Sequence, residues 1–229
     1  MNIFFMGTPK FAVPTLDILN KKYNVIGVFT QPPRPSGRGM KEIKSSIQQY
    51  SEKNKLNFYT PNNLKNDEIL KLLVSLNPDL IVVVAYGLLI PEVILKIPSY
   101  GCINGHASLL PKWRGAAPIQ RAIEAGDIKT GCTSMLMEKG LDTGPMIHKK
   151  EILINMEDDV IDLFKSLSLL TAECIHETIQ KLISGDSKQT PQNNLEASYA
   201  HKLTKEEGLI NWNNNSLDIY NKMLSLIHI

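Results

Sequence analysis

The chain has 229 residues, of which 43% are hydrophobic and 21% are charged, which is typical of a globular protein with one large α/β domain or one domain and part of a second. Its formal net charge is only +2, which excludes a strongly basic molecule, so any contact with nucleic acid depends on a local cluster of positive side chains. The three cysteines are isolated in the sequence, so we expect no disulfide framework and no zinc site, in a protein of the cytoplasm. No apolar run approaches the roughly 20 residues of a membrane span, so we expect no membrane contact.

Short apolar runs alternate with segments of helical periodicity over the first part of the chain. Residues 3–6, 25–30 and 80–85 are predicted strands, and 80–85 is the clearest because it is rich in β-branched residues and apolar on both faces. Residues 15–20 and 66–76 have leucine and isoleucine at helical spacing. This alternation predicts an α/β fold, with a mostly parallel sheet and helices on both faces.

The rest of the chain continues this alternation and then becomes polar. Strands are predicted at residues 101–104, 133–137 and 146–154, and helices at 117–125, 159–184 and 217–227. Gly185 follows the longest helix as a stop signal, and residues 187–198 are polar and typical of a linker. We therefore expect one domain at residues 1–186, followed at 187–229 by a linker and the truncated start of a further region.

An asparagine and a histidine follow the predicted strand at 101–104. Asn104 and His106 are two residues apart, so their side chains face the same way if the strand continues. An amide donor beside an imidazole can hold a carbonyl oxygen and move a proton, and the ends of strands are where open α/β sheets bind ligands. The alternative is that both side chains only satisfy nearby backbone groups.

The turn Gly-Leu-Asp-Thr-Gly at residues 140–144 places Asp142 between two predicted strands. An aspartate is a natural partner for orienting a catalytic imidazole, and this turn is expected near the same end of the sheet as His106. The alternative is a hairpin turn in which the aspartate makes only local hydrogen bonds.

The segment at residues 31–44 is rich in positive charge, with Arg34, Arg38, Lys41 and Lys44 against a single Glu42. Three prolines and two glycines predict an irregular loop. Such a loop can contact phosphates of a nucleic acid backbone, or it can be an ordinary solvated surface loop.

Several motifs resemble those of the methionyl-tRNA formyltransferases. They are FMGTPKFAVP at 5–14, QPPRPSGRG at 31–39, VAYG at 84–87, NGHASLLPKWRGAAPIQRAI at 104–123 and GLDTG at 140–144. The Asn-x-His and Ser-Leu-Leu-Pro core is shared with the wider group of folate-dependent formyltransferases. The extension after it and the loop at 31–39 are similar to the tRNA enzymes in particular.

The resemblance implies a Rossmann-like catalytic domain at residues 1–186, which moves a formyl group from 10-formyltetrahydrofolate to the α-amine of methionyl initiator tRNA. It implies catalytic roles for Asn104, His106 and Asp142 and no need for a metal, and we expect a monomer. It further implies folate contacts at Tyr86, Gly87, Ser108, Leu109, Leu110, Pro111, Gly140 and Leu141, and tRNA contacts at Arg34, Arg38 and Lys41.

Two departures from the family pattern leave alternatives open. A β-branched residue is usual at position 105, so Gly105 predicts a looser strand end between Asn104 and His106. The family also continues into a C-terminal β-barrel that helps to bind tRNA, which we expect this chain to lack. The alternatives are therefore a formyltransferase or hydrolase acting on another small amine, and a folate-binding or tRNA-binding remnant without turnover.

Overall fold

The computed structural model describes residues 1–36 and 41–228, which fold around a seven-stranded sheet. The strands of this sheet and of two short ribbons are β1 (Asn2–Gly7), β2 (Asn24–Phe29), β3 (Arg34–Ser36), β4 (Lys41–Ile43), β5 (Phe58–Tyr59), β6 (Leu80–Val84), β7 (Cys102–His106), β8 (Arg114–Gly115), β9 (Lys129–Leu136), β10 (Met146–Leu153) and β11 (Tyr199–Ala200). The sheet order is β10-β9-β7-β6-β1-β2-β5. Pairing is parallel from β7 to β5, and β9 is antiparallel to both of its neighbours.

Helices cover both faces of the sheet, as predicted. They are α1 (Val13–Lys22), α2 (Ser46–Lys53), α3 (Asp67–Leu76), α4 (Glu92–Leu95), α5 (Pro118–Glu124), α6 (Val160–Ser184) and α7 (Ser216–Leu226), with short 3-10 turns at Lys10–Ala12, Asn194–Glu196 and Glu206–Gly208. Alternate residues of β1 enter different cores, because successive side chains of a strand point to opposite faces. Ile3 and Phe5 join one cluster with Leu16 of α1, and Phe4 joins the other with Leu73 of α3.

Local capping explains where the two most clearly predicted helices begin and end. The carboxylate of Asp159 accepts hydrogen bonds from the first free backbone amides of α6, and Gly185 ends that helix in the left-handed conformation, with φ of 80°. The side chain of Asn66 caps α3 in the same way, and Asn77 ends it with φ of 45°. Among these residues, Gly185 is the stop signal that was predicted from the sequence.

The structure corrects the prediction for the basic segment at residues 31–44. Its two ends pair as an antiparallel ribbon of β3 and β4, in which Arg34 lies opposite Ile43 and Pro35 opposite Glu42. A proline is tolerated there because a two-stranded ribbon leaves one edge of each strand without a ladder partner. Helix α2 follows directly and was not predicted, since Ile47 is its only fully buried apolar side chain.

The polar segment after α6 lies against the domain. Thr190 exchanges two backbone hydrogen bonds with Met146, each 2.8 Å long, and β11 pairs in parallel with β8. Further on, α7 packs on α5, and the Ser225 hydroxyl donates to the backbone carbonyl of Gln120 at 2.9 Å.

The domain division at residue 186 stays a prediction. Within residues 1–36 and 41–228, no helix combines the length and hydropathy that crossing a membrane requires.

Candidate functional site

A cavity of about 670 Å³ opens beyond the carboxyl ends of β6 and β7. Its walls are formed by residues 85–88 after β6, the end of β7, the segment around β8, the turn before β10 and the strand β11. Phe11 and Phe164 close part of it from the side of α6. The position agrees with the general placement of ligand sites in open α/β sheets.

Asn104, His106 and Asp142 meet in this cavity, as the sequence predicted. The amide Nδ2 of Asn104 lies 3.4 Å from Oδ1 of Asp142, and Nδ1 of His106 lies 3.6 Å from Oδ2. The backbone amide of Gly115 donates to the same Oδ2 at 2.9 Å. The side chains of His106 and Asp142 are only 6% and 12% exposed, so water screens their interaction weakly.

Strand β7 extends through His106, which places Asn104 and His106 on the same face. Gly105 points to the opposite face, where α6 covers it. A Cβ at this position would lie 2.7 Å from Cγ2 of Thr171 and 3.2 Å from Cγ1 of Ile175. The looser strand end expected from Gly105 is therefore wrong, because the side chains of α6 fill the space beside it.

The imidazole of His106 is oriented by the loop that follows it. Its Nε2 lies 2.8 Å from the backbone oxygen of Trp113. A carbonyl oxygen only accepts hydrogen bonds, so we assign the proton to Nε2, which leaves Nδ1 as the nitrogen facing Asp142. Trp113 and Asp142 adopt φ values of 62° and 51°, a strained conformation for residues with side chains and one that is common at functional sites.

Three further polar residues interact beside this site, and local sequence signals did not reveal how. Arg114 is 2% exposed, and its guanidinium donates at 2.8–3.0 Å to the amide oxygens of Gln192 and Asn194. All three of these hydrogen bonds go to neutral groups. Gln192 and Asn194 lie in the polar stretch predicted as a linker, where neither periodicity nor spacing indicated a partner. Residues 199–202, which also line the cavity, were missed for the same reason.

The residues predicted to contact folate fall into two groups. Tyr86, Gly87 and Leu141 line the cavity, whereas Gly140 and residues 108–111 do not. Tyr86 is buried, which raises the pKa of its phenol, and its hydroxyl has no hydrogen-bond partner among the residues described. Its backbone oxygen accepts from the side chains of Thr8 and Gln31 at 2.8 and 2.9 Å, which fixes this wall.

Residues 108–111 form a buried turn behind the site. Ser108 and Leu110 are fully buried, and Thr133 of β9 bridges them by donating to the carbonyl of Ser108 and accepting from the amide of Leu110. Leu109 and Pro111 are partly exposed at its edge. The turn therefore supports the loop after His106, and the structure does not bring its side chains into the cavity wall.

The predicted tRNA contacts lie in the ribbon of β3 and β4. Arg34 is exposed at the start of β3, and Lys41 begins β4 opposite Ser36. Arg38 lies outside the described residues. Elsewhere in the chain, as far as the structure describes it, no group of three or more histidine, cysteine, aspartate or glutamate side chains could hold a metal ion.

Comparison with known proteins identifies close relatives. The formyl transferase family model matches residues 1–179. A methionyl-tRNA formyltransferase of Marinobacter nauticus is 47% identical over 220 residues, which cover 96% of this chain and 71% of that protein. One from Coxiella burnetii is 46% identical over 220 residues, which cover 96% of this chain and 70% of the relative.

Solved structures show the same fold at lower identity. An N-formyltransferase from Helicobacter canadensis, in complex with folinic acid and dTDP-3-aminofucose, superimposes with a TM-score of 0.76 at 20% identity, covering 98% of this chain and 80% of that one. A 4-N formyltransferase from Francisella tularensis gives a TM-score of 0.77 at 18% identity, with 98% and 87% covered. These likenesses confirm the Rossmann-like α/β fold.

Proposed function

This chain belongs to the methionyl-tRNA formyltransferases, and we propose that it performs their reaction in the cavity beyond β6 and β7. The reaction transfers a formyl group from 10-formyltetrahydrofolate to the α-amine of methionyl initiator tRNA. The observation that supports this location best is the convergence of Asn104, His106 and Asp142 on one cavity. Its volume lies within the range of about 300–1,000 Å³ that is usual for small-ligand sites.

The polar groups of the site match the charge that develops during formyl transfer. 10-Formyltetrahydrofolate supplies the formyl carbon that the methionyl amine attacks. Negative charge then develops on the formyl oxygen, and we assign its stabilisation to the amide of Asn104 and to His106 once its Nδ1 has taken up the proton of the attacking amine. One such donor is typically worth about 3 kcal/mol in the transition state.

His106 also has the geometry to move a proton. The attacking amine must lose a proton, and the departing folate nitrogen must gain one. The N–H of Nε2 already donates to the Trp113 carbonyl, so we assign this proton transfer to Nδ1. Asp142 lies 3.6 Å from Nδ1, where its negative charge stabilises the imidazolium that forms when Nδ1 takes up the proton, while Gly115 fixes the carboxylate.

The remaining predicted contacts take different roles in this proposal. Tyr86, Gly87 and Leu141 form the wall against which the pterin of the folate lies. Residues 108–111 support the loop after His106 from behind, where Ser108 and Leu110 are fully buried. Arg34, Arg38 and Lys41 meet phosphates of the tRNA acceptor end. We further propose that the protein acts as a monomer in the cytoplasm.

A turnover assay tests the proposal. The full chain is supplied with 10-formyltetrahydrofolate and methionyl initiator tRNA, and formylmethionine is measured after hydrolysis of the ester. We expect turnover by the parent, a loss of at least about 100-fold in His106→Ala, and near-parental activity in the control His148→Ala, whose imidazole pairs with Glu177 between β10 and α6.

Three outcomes would contradict it. Release of formate without transfer to the tRNA would indicate a hydrolase, and transfer only to a small amine such as an amino sugar nucleotide would indicate a different acceptor. A parent that binds folate and tRNA but turns over neither would indicate a binding protein.

A further inference from the structure

Gln192 uses both ends of its side-chain amide to join two parts of the site. Its oxygen accepts two hydrogen bonds from the guanidinium of Arg114, at 2.9 and 2.8 Å. Its nitrogen donates to the backbone oxygens of Asp142 and Gly144, at 2.7 and 2.8 Å. The guanidinium only donates and the carbonyls only accept, so a single orientation of the amide satisfies all four bonds.

The turn at residues 142–144, whose carbonyls accept from Gln192, has little conformational freedom of its own. Asp142 sits in the left-handed region with φ of 51°, and a Cβ on Gly144 would lie 1.8 Å from the backbone oxygen of Leu136. Such backbone conformations cost free energy and persist where surrounding contacts restrain them. The two hydrogen bonds from Gln192 act on this backbone directly.

Arg114 closes a ring of contacts around Asp142. The residue after it, Gly115, donates its backbone amide to Oδ2 of Asp142 at 2.9 Å. The carboxylate of Asp142 is therefore held through Gly115, and its backbone carbonyl through Gln192, with Arg114 linking the two. A displacement of Gln192 loosens Asp142 at the point from which it faces His106.

We propose that Gln192 is a positioning residue for the formyl transfer reaction, acting through the turn that contains Asp142. The inference rests on the proposed function, since it assigns Gln192 to the same site. On this proposal, the polar segment after α6 contributes a positioning residue to the active site, in addition to covering it.

Three variants of the full chain separate this role from simple anchoring of the segment. Gln192→Glu keeps an acceptor for Arg114 but turns an oxygen, in place of the amide donor, toward the carbonyls of Asp142 and Gly144. Gln192→Met removes both sets of bonds. Asn194→Ala is the matched control, because it removes one acceptor from Arg114 and leaves the turn untouched.

The expected result is a selective loss of kcat. In Gln192→Glu, kcat should fall by about 10- to 100-fold, while KM for folate and for tRNA stays within about threefold of the parent. Gln192→Met should lose at least as much, and Asn194→Ala should stay within about threefold. Amide hydrogen exchange of a peptide covering residues 138–146 should accelerate in Gln192→Glu and not in Asn194→Ala.

Near-parental kcat in Gln192→Glu overturns the inference, and so does unchanged exchange in the 138–146 peptide. Equal losses in Gln192→Glu and Asn194→Ala overturn it too, because they would reflect docking of the segment as a whole. If the parent itself shows no turnover, the proposed function fails, and the exchange comparison still decides whether Gln192 holds the turn.

Discussion

Replacing Gly105 with alanine tests how tightly α6 supports the strand that carries Asn104 and His106. The new Cβ would lie 2.7 Å from Cγ2 of Thr171, where ordinary contacts begin at 3.4 Å, so one of the two groups must move by 0.7 Å. Thr171 is β-branched and lies within α6, which restricts its side-chain rotation. Overpacking of this kind costs about 1–3 kcal/mol of the free energy of unfolding.

A second substitution identifies the cause of that loss. Thr171→Ser removes the Cγ2 methyl and keeps the hydroxyl, and should alone cost about 1 kcal/mol for one buried methyl group. In the double variant the alanine methyl takes the vacated space, and the nearest remaining contact is Cγ1 of Ile175 at 3.2 Å. The double variant should therefore be more stable than Gly105→Ala, with a coupling energy of about 1–2 kcal/mol.

The assay is urea unfolding of the parent, both single variants and the double variant, with kcat measured on the same samples. Gly105→Ala should also lower kcat, because a shifted β7 moves Asn104 and His106 relative to Asp142, and Thr171→Ser should restore it in the double variant. Additivity within about 0.5 kcal/mol would refute the reasoning, since it would mean that the two side chains do not compete for space.

Three further results are expected. His106→Ala and Asp142→Ala should each lower kcat by about 100-fold or more, and the double variant by less than the product, because groups that act together are not additive; multiplicative losses in steady-state kinetics would contradict this. Arg34→Ala should raise KM for tRNA and leave KM for folate unchanged, and equal changes in both constants would argue against a phosphate contact. The Lys150 ammonium holds the pKa of Glu177 below its ordinary value of 4.5, so this carboxylate adds stability at neutral pH that is lost as the pH falls through its lowered pKa. Glu177 is 41% exposed, so Glu177→Gln should cost at most about 1 kcal/mol at pH 7, and this difference should shrink progressively as the pH falls below 4.5; urea unfolding across that pH range tests this, and a difference that does not decrease in acid would contradict it.

The sequence predicted the elements whose signals are local. The strand at 80–85 has apolar residues on both faces, and in the structure helices cover both sides of β6. Asp159 and Gly185 marked both ends of α6 within one residue. Helix α2 and the ribbon of β3 and β4 were not predicted, because one depends on few apolar residues and the other on a pairing that prolines obscure.

Within the site, too, the residues with local sequence signals were predicted, and the contacts that depend on distant parts of the chain were not. Asn104 and His106 were found because their spacing of two matches the repeat of a strand, and Asp142 because glycines flank it in a turn. The folate contacts assigned to residues 108–111 rested on resemblance alone. Nothing in those four residues indicates that the hydroxyl of Thr133, more than twenty positions away, fills the hydrogen bonds of the turn.

Arg114 shows why long-range contacts could not be predicted from the sequence. A buried guanidinium costs several kcal/mol unless hydrogen bonds replace its lost water, so a partner had to exist. Carboxylates are the usual partners of a buried guanidinium, yet here the acceptors are amides 78 and 80 positions away in a polar stretch. A carboxylate at position 192 would also accept from Arg114, but it has no hydrogen to donate to the carbonyls of Asp142 and Gly144, so the turn favours an amide at this position.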